Sequence, residues 1–211
     1  MIYKNLSREE YIEEVHETLE EKEDIKFSKV AIGMWDFMKA WDKWPVRTLW
    51  EGETLLSVCF MKLSGQAKTK VLFISNIFTP KSGRGKGSAK EMLDRNIKEA
   101  VDCGALTIRL DCNKKSLGFY DNLGFTYWGT TIDGSMFCDL PIYSSGVDSF
   151  IKTKNMTVEE ILCSYPESLQ TAKIKWITRK LRKHEEKDYG HPSRYDEFLK
   201  FKKEKDNTLP L

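Results

Sequence analysis

A short glycine-rich, basic segment constrains the fold of this chain more than any other feature. The segment runs from Ser82 to Ser88, reads SGRGKGS, and follows an apolar run that ends at Phe78. After it, from Ala89 to Val101, apolar side chains recur at the spacing of three and four that one face of a helix requires. A glycine loop between a strand and a helix gathers unpaired backbone N–H groups at the positive end of the helix dipole. The segment therefore predicts a binding site for a phosphate-type anion.

The runs on either side of this segment predict a mixed α/β chain. Apolar and β-branched runs with turn residues between them indicate an antiparallel meander of three strands over 46–50, 54–61 and 70–78. Alternation over 106–110 predicts a further strand, residues 116–123 a short helix, and residues 125–130 and 136–143 a hairpin around Asp133-Gly134. Gly104 follows the helix where a residue able to take positive φ is favoured.

The two ends of the chain differ from this central part. Ser7 with Glu10 forms a capping box, and the acidic residues that follow predict a surface helix over 7–24. Met34, Phe37, Met38 and Trp41 predict a buried helix stripe, from which Trp35 and Trp44 lie aside.

The C-terminal part predicts a helical, basic region. Thr157 and Glu160 form a second capping box, and a basic helix is expected over 169–183, with a charged, loosely ordered remainder from 184 onward. We therefore expect an α/β (α+β) domain over 1–146 and a helical, basic extension over 147–211.

Composition excludes several classes of protein. No window reaches the roughly 18 to 20 apolar residues that span a bilayer, and the first residues lack a signal-peptide core, so a soluble, cytoplasmic protein is expected. The five cysteines include no C-x-x-C pair, which favours reduced thiols over a disulfide framework or a zinc site. We expect no metal. The net charge of +2 neither requires nor excludes a polyanionic partner.

Two motifs in register point to one family. The loop fits neither G-x-x-x-x-G-K-[ST] nor a dinucleotide-binding G-x-G-x-x-G. The run from Arg84 to Ala89 instead resembles the [RQ]-x-x-G-x-[GA] signature of the GNAT superfamily of acyl-CoA-dependent N-acyltransferases. The run from Asn113 to Phe125, NKKSLGFYDNLGF, resembles that superfamily's N-x-x-A-x-x-[FL]-Y-x-x-x-G-F segment. The resemblance covers about residues 30–143.

The resemblance implies a mixed, mostly antiparallel sheet with splayed central strands, and an acyl-CoA donor, most simply acetyl-CoA. It implies that Tyr120 protonates the departing thiolate. It also implies a donor site in which backbone amides bind coenzyme A and Asn113 bonds the pantetheine or the facing backbone. The residues of this donor site are Phe78, Arg84, Gly85, Lys86, Gly87, Ser88, Ala89 and Asn113.

The chain departs from the family pattern at two places. Pro80 lies four residues before Arg84, one more than in the commonest P-x-x-R form. Ser75 and Asn76 stand where many members have a glutamate base, which leaves Asp111 and Glu53 as the carboxylate candidates. A neutral aromatic or exocyclic amine would need no strong base.

The acceptor is less constrained than the donor. The first hypothesis is an amine on a small molecule or protein, with Trp35 and Trp44 as candidate pocket residues. The second is a DNA base, because the basic and aromatic residues over 173–205 could contact a phosphate backbone and bases, and the hairpin loosely resembles phage Mom-type enzymes. The third is an inactive GNAT domain used for binding. Covalent catalysis by Cys112 is disfavoured.

Overall fold

A computed structural model describes residues 1–65, 70–142, 155–181 and 193–208. The chain divides into two compact units, one formed by Met1–Ser64 with Leu72–Ala100 and the other by Gly65–Val71 with Val101–Leu211. Both units contain strands and helices, as the predicted α/β class requires. The expected boundary between residues 146 and 147 lies outside the described residues and stays a prediction.

Seven strands lie in the described ranges, and every pairing whose register is given is antiparallel. They are β1 (Ile2–Leu6), β2 (Val46–Glu51), β3 (Thr54–Ser64), β4 (Val71–Phe78), β5 (Thr107–Cys112), β6 (Thr126–Thr130) and β7 (Met136–Pro141).

The α-helices of the same residues are α1 (Arg8–Glu14), α2 (Lys22–Phe37), α3 (Ser88–Asp102), α4 (Leu117–Asn122), α5 (Val158–Cys163), α6 (Glu167–Lys180) and α7 (Tyr195–Thr208). Short 3-10 turns cover His16–Thr18, Lys81–Gly83 and Lys114–Ser116. Among the described helices, none has the length and apolar character needed to cross a membrane.

The first unit orders its strands β1-β2-β3-β4. The predicted order β2-β3-β4 is confirmed, β2 and β3 pair antiparallel, and Gly52, at φ +58°, lies in the turn between them. Strand β1 was not predicted from the sequence. The expected single helix over 7–24 is wrong: α1 ends at Glu14, and α2 begins only at Lys22.

The buried face of α2 differs from the predicted stripe. Trp35 has no exposed surface, whereas Phe37 is 88% exposed. The inward positions of α2 are Asp24, Ser28, Ala31 and Trp35, which keep helical spacing but include small and polar residues. The predicted stripe is therefore wrong at Phe37, whereas its members Met38 and Trp41 do pack against the core.

The second unit orders its strands β5-β7-β6 and packs the C-terminal helices against them. Trp128 of β6 and Phe137 of β7 share one buried cluster with Ile161 and Ile177. The expectation of a loosely ordered remainder is wrong for α7, whose Phe198 is fully buried, with its ring edge-on to Trp128. Tertiary packing stabilises this charged helix through one apolar face.

Candidate functional site

The predicted anion loop has the backbone that an anion site needs. Gly85 and Gly87 take φ values of +77° and +74°, and an added Cβ would meet no atom within 4 Å at either position. Their glycine character therefore serves backbone conformation, and the surface above them is open. The Glu91 N–H donates to the Gly87 carbonyl at 3.1 Å, so the first free amides of α3 directly follow the loop. We call residues 84–89 the cradle.

A buried carboxylate of α2 holds the start of this loop. Asp24, which is 5% exposed, accepts a hydrogen bond from the Lys81 backbone N–H at 3.0 Å and one from the Arg84 guanidinium at 2.8 Å. The Arg84 Nε also donates to the Thr79 carbonyl at 3.1 Å. The Arg84 side chain thus ties the loop to α2 and to Thr79. The backbone of the cradle remains exposed.

The residue inserted between Pro80 and Arg84 is taken up by the 3-10 turn at Lys81–Gly83. This turn packs directly on β3, since a Cβ on Gly83 would lie 2.5 Å from the Leu56 carbonyl oxygen. The Ser88 hydroxyl donates to the Gly83 carbonyl at 3.3 Å and ties the turn to α3. The insertion is therefore a packed turn.

Phe78 ends β4, and its carbonyl accepts from the Ser57 hydroxyl at 3.3 Å. Its ring packs against Phe27 of α2, with ring centroids 4.9 Å apart. Ser75 and Asn76, which replace the family's glutamate, bond to each other at 3.1 Å between the hydroxyl and the amide oxygen. Neither side chain is a strong base.

Glu53 lies on a surface groove of about 490 Å³ in the same unit. The groove also includes Asp24 and the 3-10 turn residues Lys81 and Ser82. Glu53 is exposed on the β2–β3 turn, so its carboxylate has the surroundings of an ordinary surface group.

The residues predicted to react lie at the end of β5 and in α4, in the second unit. Asp111 is half-buried on β5. The Asn113 side-chain oxygen accepts from the Ser116 N–H at 3.0 Å and so caps the following 3-10 turn. That local role leaves the amide NH₂ of Asn113 as the group suited to a pantetheine carbonyl.

Tyr120 is held rigidly by its neighbours. It is 5% exposed, and its ring meets Phe119 and Phe125 edge-on at 5.1 Å and 5.5 Å between centroids. The Phe125 N–H closes the chain back onto the Tyr120 carbonyl at 3.0 Å. The Gly-Phe end of the second motif therefore positions the tyrosine.

The two thiols nearest this end are buried. The Cys112 sulfur lies 3.9 Å from that of Cys138. The hydrogen bond with Cys112, and then burial, raise the pKa of Cys138. A protonated Cys138 is a poor nucleophile, as is typical of a structural cysteine.

The first unit thus gathers Phe78 and the cradle, and the second gathers Asp111, Asn113 and Tyr120. Trp35, predicted as a pocket residue, lies in the core, and its indole N–H donates to the Trp44 carbonyl at 3.0 Å.

Sequence reasoning missed Asp24, because it lies in an acidic stretch that is typical of a solvated face. It also misjudged Lys173, which was counted with the basic tail. Lys173 is buried and forms an ion pair with Asp139, which also accepts from the Trp128 indole N–H at 2.6 Å.

Three comparisons place these features among known proteins. A family model described as the acetyltransferase (GNAT) family matches residues 4–125 of this chain. A search of curated proteins found no match. The described part of the chain has no group of three or more His, Cys, Asp or Glu side chains placed to hold a metal ion.

Many solved structures share the fold. An aminoglycoside 6'-acetyltransferase type Ii has 13% identity and a TM-score of 0.53, over 68% of this chain and 98% of its own. The PaiA N-acetyltransferase from Thermoplasma acidophilum, in complex with coenzyme A, has 16% identity and a TM-score of 0.51, over 67% and 98%. A bacterial toxin has 11% identity and a TM-score of 0.51, over 72% and 93%. At these identities the likeness shows the fold alone.

Proposed function

The chain belongs to the acetyltransferase (GNAT) family, and from that premise we propose that it transfers an acyl group, in the first instance acetyl, from a coenzyme A thioester directly to an amine. The thioester supplies an activated acyl group with a thiolate leaving group.

The observation that carries the proposal is the conformation of the cradle. Two glycines with positive φ, open space above them and the first amides of α3 next to them form a surface of backbone donors. Such a surface fits a pyrophosphate, because N–H groups and the helix dipole both favour negative charge. The exposed side chain of Lys86 adds positive charge at the same place. We assign the pyrophosphate contacts to the amides of Arg84, Gly85, Lys86, Gly87, Ser88 and Ala89.

The remaining roles follow the family motifs. The backbone N–H at about Phe78 is assigned to the oxyanion that develops on the thioester carbonyl, and Asn113 to the pantetheine arm. As the amine nitrogen bonds to the carbonyl carbon and the C–S bond breaks, the Tyr120 hydroxyl gives its proton to the departing sulfur. The Tyr120 phenolate then regains a proton from the amine or from solvent.

The base on the acceptor side has one main candidate. Asp111 is half-buried on β5, just before the second motif, whereas Glu53 is an exposed turn residue. We therefore keep Asp111 as the proposed base, acting through water, and assign no catalytic role to Glu53.

The DNA-base hypothesis stays a prediction from the sequence. One cation on which it depends, Lys173, is buried against Asp139 and does not face a phosphate backbone. Turnover distinguishes an enzyme from an inactive binding domain.

Calorimetry with coenzyme A tests the donor site. The wild-type protein should bind coenzyme A saturably, and Gly87→Asp should abolish binding by placing a carboxylate in the cradle. The matched control is Gly104→Asp, because Gly104 also has φ +74° and open space around it, but follows the C-terminus of α3. Equal loss in both variants would mean that backbone strain, not charge in the cradle, removes binding.

A turnover assay completes the test. Acetyl-CoA is incubated with a panel of amines, and release of free coenzyme A is followed by a thiol reagent. Amine-dependent release supports the enzyme. Saturable binding with no release for any amine class, nucleosides included, would favour the inactive binding domain.

A further inference from the structure

Three consecutive residues of β3 hold the chain between the end of β4 and the cradle. Leu55 and Leu56 contact the 3-10 turn at Lys81–Gly83. The third residue, Ser57, has no exposed surface, and its hydroxyl donates to the Phe78 carbonyl at 3.3 Å. Ser57 thus contacts the residue at which β4 ends, where the reacting end of the donor site is proposed.

The hydrogen bond from Ser57 sets the direction of the next amide. The Phe78 carbonyl and the Thr79 N–H belong to one peptide group, and the structure has no cis peptide bond in the residues that it describes. In a trans peptide the C=O and the N–H point in opposite directions. Because the Phe78 carbonyl points to the Ser57 hydroxyl, the Thr79 N–H points away from Ser57. Pro80 has no N–H, so no other amide lies between Thr79 and Lys81.

The residues after this peptide group are held as well. The Thr79 carbonyl accepts from the Arg84 Nε at 3.1 Å, and the Pro80 carbonyl accepts from the Gly83 N–H at 2.8 Å. Rotation of the peptide group between Phe78 and Thr79 would break the contact with Ser57 and disturb the next one. An amide fixed in this way needs little reorganisation when negative charge develops beside it, and this property makes oxyanion stabilisation effective.

The side chain of Thr79 carries a buried hydroxyl group. In the part of the chain that the structure describes, its oxygen has no hydrogen-bond partner. A buried hydroxyl that makes no hydrogen bond is costly, and native proteins rarely contain one without a reason. A ligand bound at the end of β4 would supply the partner. Thr79 therefore combines an oriented N–H with a hydroxyl that a ligand can satisfy.

Resting on the proposed function, we propose that Ser57 is a positioning residue of the donor site, and that the Thr79 N–H, which it orients, stabilises the oxyanion. As the amine nitrogen bonds to the carbonyl carbon, an electron pair of the C=O moves onto the oxygen, which accepts from this N–H. The pair returns when the C–S bond breaks, and the departing sulfur takes the proton of Tyr120. Ser57 touches neither donor nor acceptor.

Removal of the Ser57 hydroxyl tests the positioning role. Ser57→Ala should lower the single-turnover rate of acetyl transfer, to the best amine of the panel, by about 3- to 10-fold, the range expected for one hydrogen bond. The Kd for coenzyme A in calorimetry should stay unchanged, because free coenzyme A has a thiol in place of the thioester. The matched control is Thr48→Val, which removes a fully buried hydroxyl from the neighbouring strand β2 and should change neither quantity.

Nuclear magnetic resonance of the wild-type protein tests the amide itself. In a sample with ¹⁵N-labelled threonine, acetyl-CoA should move the Thr79 amide proton downfield, because its thioester carbonyl accepts a hydrogen bond there. Coenzyme A lacks that carbonyl and should move the same signal much less. The comparison reports on binding and does not depend on turnover.

The outcomes separate this inference from the proposed function. Absence of coenzyme A binding by the wild-type protein would refute the proposed function itself. With normal binding, an unchanged transfer rate in folded Ser57→Ala would overturn the inference, and so would an equal loss of transfer rate and coenzyme A affinity, which marks a merely structural role. Equal shifts of the Thr79 amide with the two ligands would also overturn it. That comparison uses the wild-type protein and stands even if Ser57→Ala fails to fold.

Discussion

Replacing Asp24 with asparagine should loosen the cradle without removing any backbone amide that we assign to the donor. The Asp24 carboxylate accepts from the Lys81 N–H at 3.0 Å and from the Arg84 guanidinium at 2.8 Å. Asparagine keeps one acceptor oxygen and presents an NH₂ group to the second donor. Either the Arg84 guanidinium or the Lys81 N–H therefore loses its hydrogen bond to residue 24.

The size of the effect follows from the exposure of the two partners. A hydrogen bond to a charged group contributes about 1.5–3 kcal/mol. Asp24 is buried, but the Arg84 side chain is 53% exposed and can regain water, so we discount the loss to about 1–2 kcal/mol. If the whole loss of free energy weakens coenzyme A binding, the Kd for coenzyme A rises by about 5- to 30-fold.

The control is a pair of the same kind on the same helix. Asp36 of α2 accepts from the Arg8 Nε at 2.8 Å, and both side chains are about 40% exposed. Asp36→Asn should leave the Kd for coenzyme A unchanged. Calorimetry measures both variants, with thermal melting to confirm that each is folded. Wild-type affinity in folded Asp24→Asn would refute the positioning role of Asp24, whereas equal weakening in both variants would attribute the effect to α2 as a whole.

Four further predictions follow from single contacts. Gly83→Ala should lower the free energy of unfolding by about 1–3 kcal/mol and weaken coenzyme A binding, because its Cβ would overlap the Leu56 backbone; chemical denaturation and calorimetry measure the two effects. Trp35→Ala should cost about 3–5 kcal/mol in denaturation, while Phe37→Ser should cost little, and similar costs would contradict the assigned helix face. Tyr120→Phe should lower kcat on the best amine of the panel about 10²-fold with little change in KM for acetyl-CoA, and an unchanged kcat would exclude the acid role. The hydrogen bond from Arg8 lowers the pKa of Asp36 below its ordinary 3.8. The Asp36 carboxylate therefore stabilises the fold at neutral pH, and this stabilisation is lost as the pH falls through the lowered pKa. Asp36→Asn should flatten the acid part of the profile of unfolding free energy against pH.

Prediction succeeded where a structure depends on neighbours in sequence. The capping boxes at Ser7 and Thr157 and the helix end at Gly104 were all predicted correctly, because each depends on residues within one turn. Prediction failed where tertiary packing determines which residues are buried. Phe37 is exposed, and helix α7 is ordered because Phe198 is buried.

The sequence by itself indicated the family of this protein and the loop predicted to bind the donor. The glycines and the helix start that form the cradle are contiguous, so their spacing alone indicated an anion site and, with the second motif, the GNAT family. Only the tertiary structure decided what holds and surrounds these parts. Asp24 reaches the loop from 57 and 60 residues away, and Lys173 meets Asp139 from 34 residues away. Contacts between residues so distant in sequence leave no local pattern, because their geometry exists only once the chain has folded.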